Sequence, residues 1–138
     1  MDLDEDVKYA TSVVAKDPMA SFLGIQIEEV KRAYARLSLR INENYLNSLG
    51  RAHGMAISSL IDQTVAVACN ATEHEALVVE LKINFLDAVP LGGKIFAEAL
   101  PLDVKRKLSL WQAEVKDSTG NKVAIAQALA YHRAKKLD

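Results

Sequence analysis

One carboxylate and one glycine-started turn carry most of the chemistry open to this chain. The segment Asn47-Ser-Leu-Gly-Arg-Ala-His53-Gly54-Met-Ala-Ile-Ser-Ser-Leu-Ile-Asp62 runs from a polar loop into an apolar helical stretch whose one acidic residue is Asp62. An ionised side chain deep among apolar neighbours is costly unless something pairs with it or uses it. Asp62 is therefore the first candidate for a nucleophile or a general base. Its neighbours one helical turn away, Ser58, Ser59, Val65 and Ala66, supply hydroxyls and no cation. A satisfied polar group, or a narrow solvent-facing stripe shared with Ser58 and Ser59, is the other reading of the same pattern.

Gly54 falls in the first turn of that helix, where backbone N–H groups lack helical partners and attract negative charge. With no side chain in the way, a ligand oxygen can approach the Gly54 amide closely. A carbonyl oxygen turning into an oxyanion is the kind of group such a terminus stabilises. An ordinary helix start, with His53 near the cap, fits the same residues. Asp62 lies eight residues on, about 12 Å along the helix axis. A nucleophile or base must come within roughly 3–3.5 Å of the reacting atom. If Gly54 and Asp62 both act on one small carbonyl, they come from different chains, and a two-fold dimer with two equivalent sites is expected.

Rival constellations fail on spacing. His53 and Cys69 are about 24 Å apart on one helix and form no dyad. Cys69 reads as a small core residue, and as the single cysteine it closes no intrachain disulfide. There is no Gly-x-Ser-x-Gly elbow, and Gly92-Gly93-Lys94 is too short for a phosphate loop and reads as a turn. His53, His74 and His132 lack ligand spacing, so no metal and no cofactor is expected. A formal net charge of −1 gives no general attraction for nucleic acid or anionic membrane. Clustered bases are confined to Lys105-Arg106-Lys107 and to the stretch Arg133 to Lys136. The acidic start, Met-Asp-Leu-Asp-Glu-Asp, lacks the apolar centre of a secretory signal, and no apolar run reaches the roughly 18 residues of a membrane span. A cytoplasmic protein is expected.

The elements that must position these groups follow from periodicity. At 138 residues the chain is expected to form one domain, 1–138, large enough to hold a core without a staple. Val7, Ala10, Val13 and Val14 predict an amphipathic helix over about 5–16, stopped by Asp17-Pro18. Alternation from Ala33 to Ile41 predicts a strand, with Gly24 to Val30 as its hairpin partner. A central helix over about 54–72 is apolar nearly all round and hence buried. Leu77, Val79, Leu81, Ile83 and Phe85 predict a further strand with one apolar face. Strands over 93–102, 108–117 and 122–133 follow, divided by turns at Pro90–Gly93 and Ser118–Asn121. In the last of them, Ala124, Ala126, Ala128 and Ala130 form a face of small side chains that lets another element come close, or else plain surface. A helix, two strands, a central helix and four strands indicate an α+β domain, with the long helix on the concave face of a curved antiparallel sheet.

Asn47, then His53-Gly54, then Asp62, followed by Ile83-Asn84-Phe85-Leu86 and the Pro90–Gly93 turn, resembles the hotdog-fold acyl-CoA thioesterases, and within them the PaaI-like branch, over roughly residues 19 to 134. The resemblance implies a curved six-stranded antiparallel sheet wrapped around the long helix. It implies homodimers with sites at the subunit interface, often paired into homotetramers. It also implies hydrolysis of an acyl-CoA or related thioester to a free acid and a thiol. In that scheme Asp62 is nucleophile or general base, the Gly54 amide receives the thioester oxygen, Asn47 positions substrate, and His53 supports the loop. Coenzyme A is then part of the substrate. Lys105, Arg106 and Lys107 become candidates for its phosphates, with Gly92 and Gly93 as further candidate contacts; a solvated turn is the other fate of such a charge run.

Two departures stand out. Met55 replaces a second glycine found in many relatives; its amide can still donate, while its bulk narrows the acyl pocket. Val78 and Val79 occupy the region where some relatives carry a polar residue that orients water. These departures favour the first alternative, a hotdog protein that binds acyl-CoA without turning it over. A hydroxyacyl-thioester dehydratase is the second, and it needs a histidine beside an acid, whereas His53 lies far from Asp62 along the helix.

Overall fold

The computed structural model describes residues 3–135. Helix α1 (Leu3–Ser12) passes through a short 3-10 turn (Val14–Lys16) into α2 (Pro18–Leu23). The single helix expected over 5–16 is therefore broken, and Pro18 opens a new helix where the sequence suggested a stop. Asp17 is the cause. It is extended (φ −64°, ψ 165°), its carboxylate accepts the Ala20 N–H at 3.0 Å, and Pro18 takes the first helical position, where a missing N–H costs nothing. The buried Asp6 carboxylate meets the Arg32 guanidinium at 2.8 Å and fastens α1 to the sheet.

The strands are β1 (Gln26–Lys31), β2 (Tyr34–Arg40), β3 (His74–Phe85), β4 (Lys94–Val104), β5 (Leu108–Asp117) and β6 (Lys122–Lys135). They form one six-stranded antiparallel sheet in the order β1-β2-β4-β5-β6-β3. Helix α3 (Gly54–Asn70) packs against β2, β3, β4 and β5, with α1 on its other side. Alternate residues of the strands point at it, among them Leu37, Leu39, Ile95, Ala97, Trp111 and Val115, and they bury Leu60, Ile61, Val65 and Val67. Ala124, Ala128 and Ala130 belong to this inner face and are buried. Their small size answers to the helix.

The predicted apolar face of β3 does not exist as one face. Leu77 pairs with the exposed Tyr131 and Val78 with the buried Ala130, but the register then slips, so Glu80 faces Leu129 and Leu81 faces Ala128. A bulge at Val79 exchanges the faces, because a one-residue slip reverses every following side chain. Leu77 therefore lies on the outer face, and Leu81, Ile83 and Phe85 on the inner one. Strand β3 is also an edge of the sheet over its twelve residues, with Val79 and Phe85 half exposed along it. An apolar edge of this length is one that proteins normally cover or pair.

The turn before β4 is held tightly. Gly92 (φ +84°) donates to Ile41 O at 2.8 Å, Gly93 donates to Pro90 O at 3.0 Å, and Ile41 donates to Gly93 O at 2.9 Å. A Cβ on Gly93 would sit 2.8 Å from Cγ1 of the buried Val89 and 3.1 Å from the Pro90 carbonyl. Gly93→Ala should therefore destabilise the fold by about 1–3 kcal/mol. Urea unfolding should show a lower midpoint with an unchanged slope.

Candidate active site

The loop before α3 is tied by its own side chains. Asn47 accepts the Leu49 and Arg51 N–H groups on Oδ1, at 2.9 and 3.1 Å, and its own N–H donates to Arg51 O at 2.7 Å. Its Nδ2 amide has no protein acceptor among the described residues. Arg51 bridges to Pro90, Ala52 donates to Val89 O at 2.8 Å, and His53 donates to Tyr45 O at 2.7 Å. Asn47, the Gly92-Gly93 turn and the start of α3 thus stand together at one end of the sheet.

His53 caps α3 from an extended conformation (φ −67°, ψ 143°). Its Nδ1 accepts the Met55 N–H at 3.0 Å, and its carbonyl accepts Ala56 at 2.9 Å and Ile57 at 3.3 Å. Ile57 makes the first helical bond. Of the four amides before it, those of His53, Met55 and Ala56 have acceptors, leaving Gly54 without one among the described residues. The expectation that the Met55 amide remains available is corrected by this cap. The Phe85 ring, from the end of β3, covers Gly54: a Cβ there would lie 3.3 Å from Phe85 Cζ. Nothing in the sequence pairs Phe85 with Gly54; the contact comes from strand order. Met55 itself is 69% exposed and points out beside this end.

Asp62 departs from the carboxylate set deep among apolar residues that the sequence suggested. On the single chain it is exposed. The buried stripe of α3 runs through Leu60, Ile61, Thr64 and Val65, and Asp62 leaves it to open into a groove of about 440 Å³. Val13, Val14 and Asp17 form one bank of this groove, and Ala76, Leu77 and Val78 of β3 the other. Although one side of the carboxylate is open to solvent, the protein packed around it strips away enough water to raise its pKa, and the negative charge of Asp17 raises it further. Asp17 was legible only as the residue before a proline; its place beside Asp62 follows from the break between α1 and α2.

Within one chain the site is divided. Gly54 and Asp62 are held by the same rigid helix, about 12 Å apart along its axis. Lys105, Arg106 and Lys107 form the β4–β5 turn, with Lys105 paired to Asp103 at 2.6 Å and Lys107 O accepting the His132 N–H at 2.7 Å. That turn lies at the far end of β4 from Gly92 and Gly93, about 33 Å away at strand rise. Cys69 is buried, as a core residue should be. Among the described residues no group of three or more His, Cys, Asp or Glu could hold a metal ion, and no helix is long and apolar enough to cross a membrane.

Comparison with known proteins agrees with this architecture. Residues 49–124, more than half of the chain, match the family model described as the thioesterase superfamily. The chain is 31% identical to a candidate esterase of Archaeoglobus fulgidus, over 83% of this chain and 75% of that protein. It is 25% identical to the Escherichia coli acyl-coenzyme A thioesterase PaaI, over 84% of this chain and 83% of that protein. The solved structure of E. coli PaaI superposes with a TM-score of 0.92, at 22% identity, over 99% of this chain and all of that one. A Streptococcus mutans protein solved bound to acetyl-CoA superposes with a TM-score of 0.79, at 20% identity, over 82% of this chain and 91% of that one. Six antiparallel strands around one long helix, with a glycine-started helix and an acid two turns on, thus have a family: the chain belongs to the thioesterase superfamily and carries its hotdog-type α+β fold.

Proposed function

We propose that this protein hydrolyses an acyl-CoA or closely related thioester to a free acid and a thiol, in sites shared by two subunits. The observation that carries the reading is the Gly54 amide at the start of α3, which has no acceptor among the described residues while every neighbouring first-turn amide has one. The thioester oxygen accepts that N–H and takes on negative charge as the carbonyl becomes tetrahedral, where the helix terminus stabilises it. Asp62 of the partner subunit either attacks the carbonyl carbon or takes a proton from the attacking water. Where water attacks, the carbon–sulfur bond then breaks and the proton held by Asp62 passes to the departing thiolate. Where Asp62 attacks, loss of the thiolate leaves an acyl–aspartyl anhydride, which water hydrolyses to the free acid while giving its proton to the thiolate. The Asn47 carbonyl oxygen is occupied by its loop, so its Nδ2 amide is the part left to orient substrate. His53 serves the loop and the cap.

The free β3 edge supports a shared site. Antiparallel pairing of two β3 edges about a two-fold axis lays the Phe85 end of one along the His74 end of the other. Phe85 covers Gly54, and the residues after His74 line the Asp62 groove. The same pairing carries Gly54 of each subunit to the Asp62 groove of its partner. It also brings Lys105–Lys107 to the partner's Gly92-Gly93 end, because Lys107 is bonded to His132 and His132 pairs with Ala76. The basic turn can then meet coenzyme A phosphates at the site mouth. The acetyl-CoA held by the S. mutans neighbour supports this class of ligand. Further pairing of dimers into tetramers remains part of the proposal.

Thiol release from a panel of aryl and short- to long-chain acyl-CoAs tests the reading. Hydrolysis of at least one member, lost in Asp62→Asn, is expected; silence across the panel overturns it. Binding without turnover is the second reading, favoured by Val78 in the groove of the acid, where a polar residue would be needed to hold water.

A pH profile tests the electrostatics separately. Asp62 must be ionised to act, so activity falls as pH drops through its raised pKa. Asp17→Asn keeps a good cap for α2 and removes the negative charge. The acid limb of kcat/KM should move to lower pH in this variant. A limb that stays in place would show that Asp17 does not act on Asp62.

A further inference from the structure

We propose, resting on that reading, that the segment from Tyr9 to Val14 is the specificity wall of the acyl pocket, and that the pocket takes an unbranched acyl chain of medium length. The groove at Asp62 is continuous: its floor is α3 from Asp62 past Ala66 to Asn70, about 12 Å along the helix. Its banks are apolar, Val13 and Val14 facing Ala76 and Val78. The wall is fixed in place, because Gln63 Nε2 donates to Val14 O at 2.8 Å and so ties the segment to α3. That bond also turns the Gln63 amide toward the wall.

The far end of the groove is closed by polar groups that satisfy each other. Tyr9 donates to Glu75 Oε1 at 3.3 Å, and Arg133 Nε meets Glu75 Oε2 at 3.2 Å. Methylenes laid along the banks leave water and gain several-fold in binding each, until the chain end reaches this rim. Beyond it, further methylenes would have to displace an ion pair. A two-carbon acyl group leaves the banks bare, and a sixteen-carbon chain overruns the rim.

The test is kcat/KM for acetyl-, octanoyl- and palmitoyl-CoA in the unmutated protein, Val13→Trp and Ala66→Leu, with folding followed by thermal melts. Val13 is half exposed, so an indole is accommodated at the surface while reaching into the groove. Octanoyl-CoA should be preferred by the unmutated protein. Its kcat/KM relative to acetyl-CoA should fall at least about tenfold in each variant. An unchanged ratio in both folded variants overturns the wall. Should the unmutated protein hydrolyse none of the three, the wider panel still decides the hydrolytic reading, and calorimetry on Asp62→Asn decides the groove alone. Tighter binding of octanoyl- than acetyl-CoA, abolished by adding Val13→Trp, supports it, and equal affinities overturn it.

Discussion

Asp62→Asn should lower kcat for thioester hydrolysis by about 10²–10⁴-fold while leaving the fold at least as stable. Asparagine keeps the size and polarity of the side chain but can neither attack a carbonyl nor hold a proton taken from water. The stability half follows from linkage. Burial against the groove and the charge of Asp17 raise the pKa of Asp62 in the folded chain, so the folded state binds this proton more tightly than the unfolded one. Keeping Asp62 ionised is therefore a cost at neutral pH, and the cost fades as pH falls through the raised pKa. Asparagine carries no charge at either pH and escapes it. Because the side chain is exposed on one side, the gain is small, and its sign is what matters. Melting curves should place the variant at or above the unmutated protein at neutral pH, with the gap closing in acid. Activity within tenfold of the unmutated rate would remove Asp62 from the chemistry. A lower melting temperature at neutral pH would mean that the carboxylate is structural. A residue that costs stability and is needed for turnover is the usual mark of a working group.

Much of this arrangement was legible because two periods dominate the chain. Alternation placed the strands, and the apolar residues spread round most sides of the stretch from Met55 to Cys69 placed the long helix they enclose. What stayed hidden depends on single backbone events. Leu77, Val79, Leu81, Ile83 and Phe85 keep perfect parity in sequence, yet the bulge at Val79 sends Leu77 outward and the last three inward. Asp17-Pro18 reads equally as the end of one helix and the cap of the next; the hydrogen bond to Ala20 decides for the cap. Asp62 looked buried because its neighbours in sequence are apolar, but a helix turns 100° per residue, and Asp62 faces the groove while Leu60 and Ile61 face the sheet. The distance between Gly54 and Asp62 needed only the helical rise. That the Met55 amide is already taken needed the imidazole of His53 in place.

Gly54→Pro should cut kcat by about 10²–10³-fold, the effect of losing one oxyanion donor. Proline is tolerated at the first position of a helix, where its missing N–H breaks no helical bond. The residue before it must be extended, and His53 already is, at φ −67° and ψ 143°. The ring would press on Phe85, whose half-exposed side chain can turn aside. Gly54→Ala is the control: it meets the same ring at 3.3 Å but keeps the amide, so it should retain most of the activity. A Pro variant as active as the Ala variant would dismiss the Gly54 amide as the donor. The same substitution decides whether sites are shared. Unfolded and refolded together in equal amounts, Gly54→Pro and Asp62→Asn chains pair at random, and half of the dimers are mixed. In a mixed dimer one site has lost both groups, while the other joins the intact Gly54 of one chain to the intact Asp62 of its partner. Activity should therefore return to about a quarter of the unmutated level, from two proteins that are each inactive alone. Sites built within single chains would give no recovery at all, because every site would still lack one of the two groups.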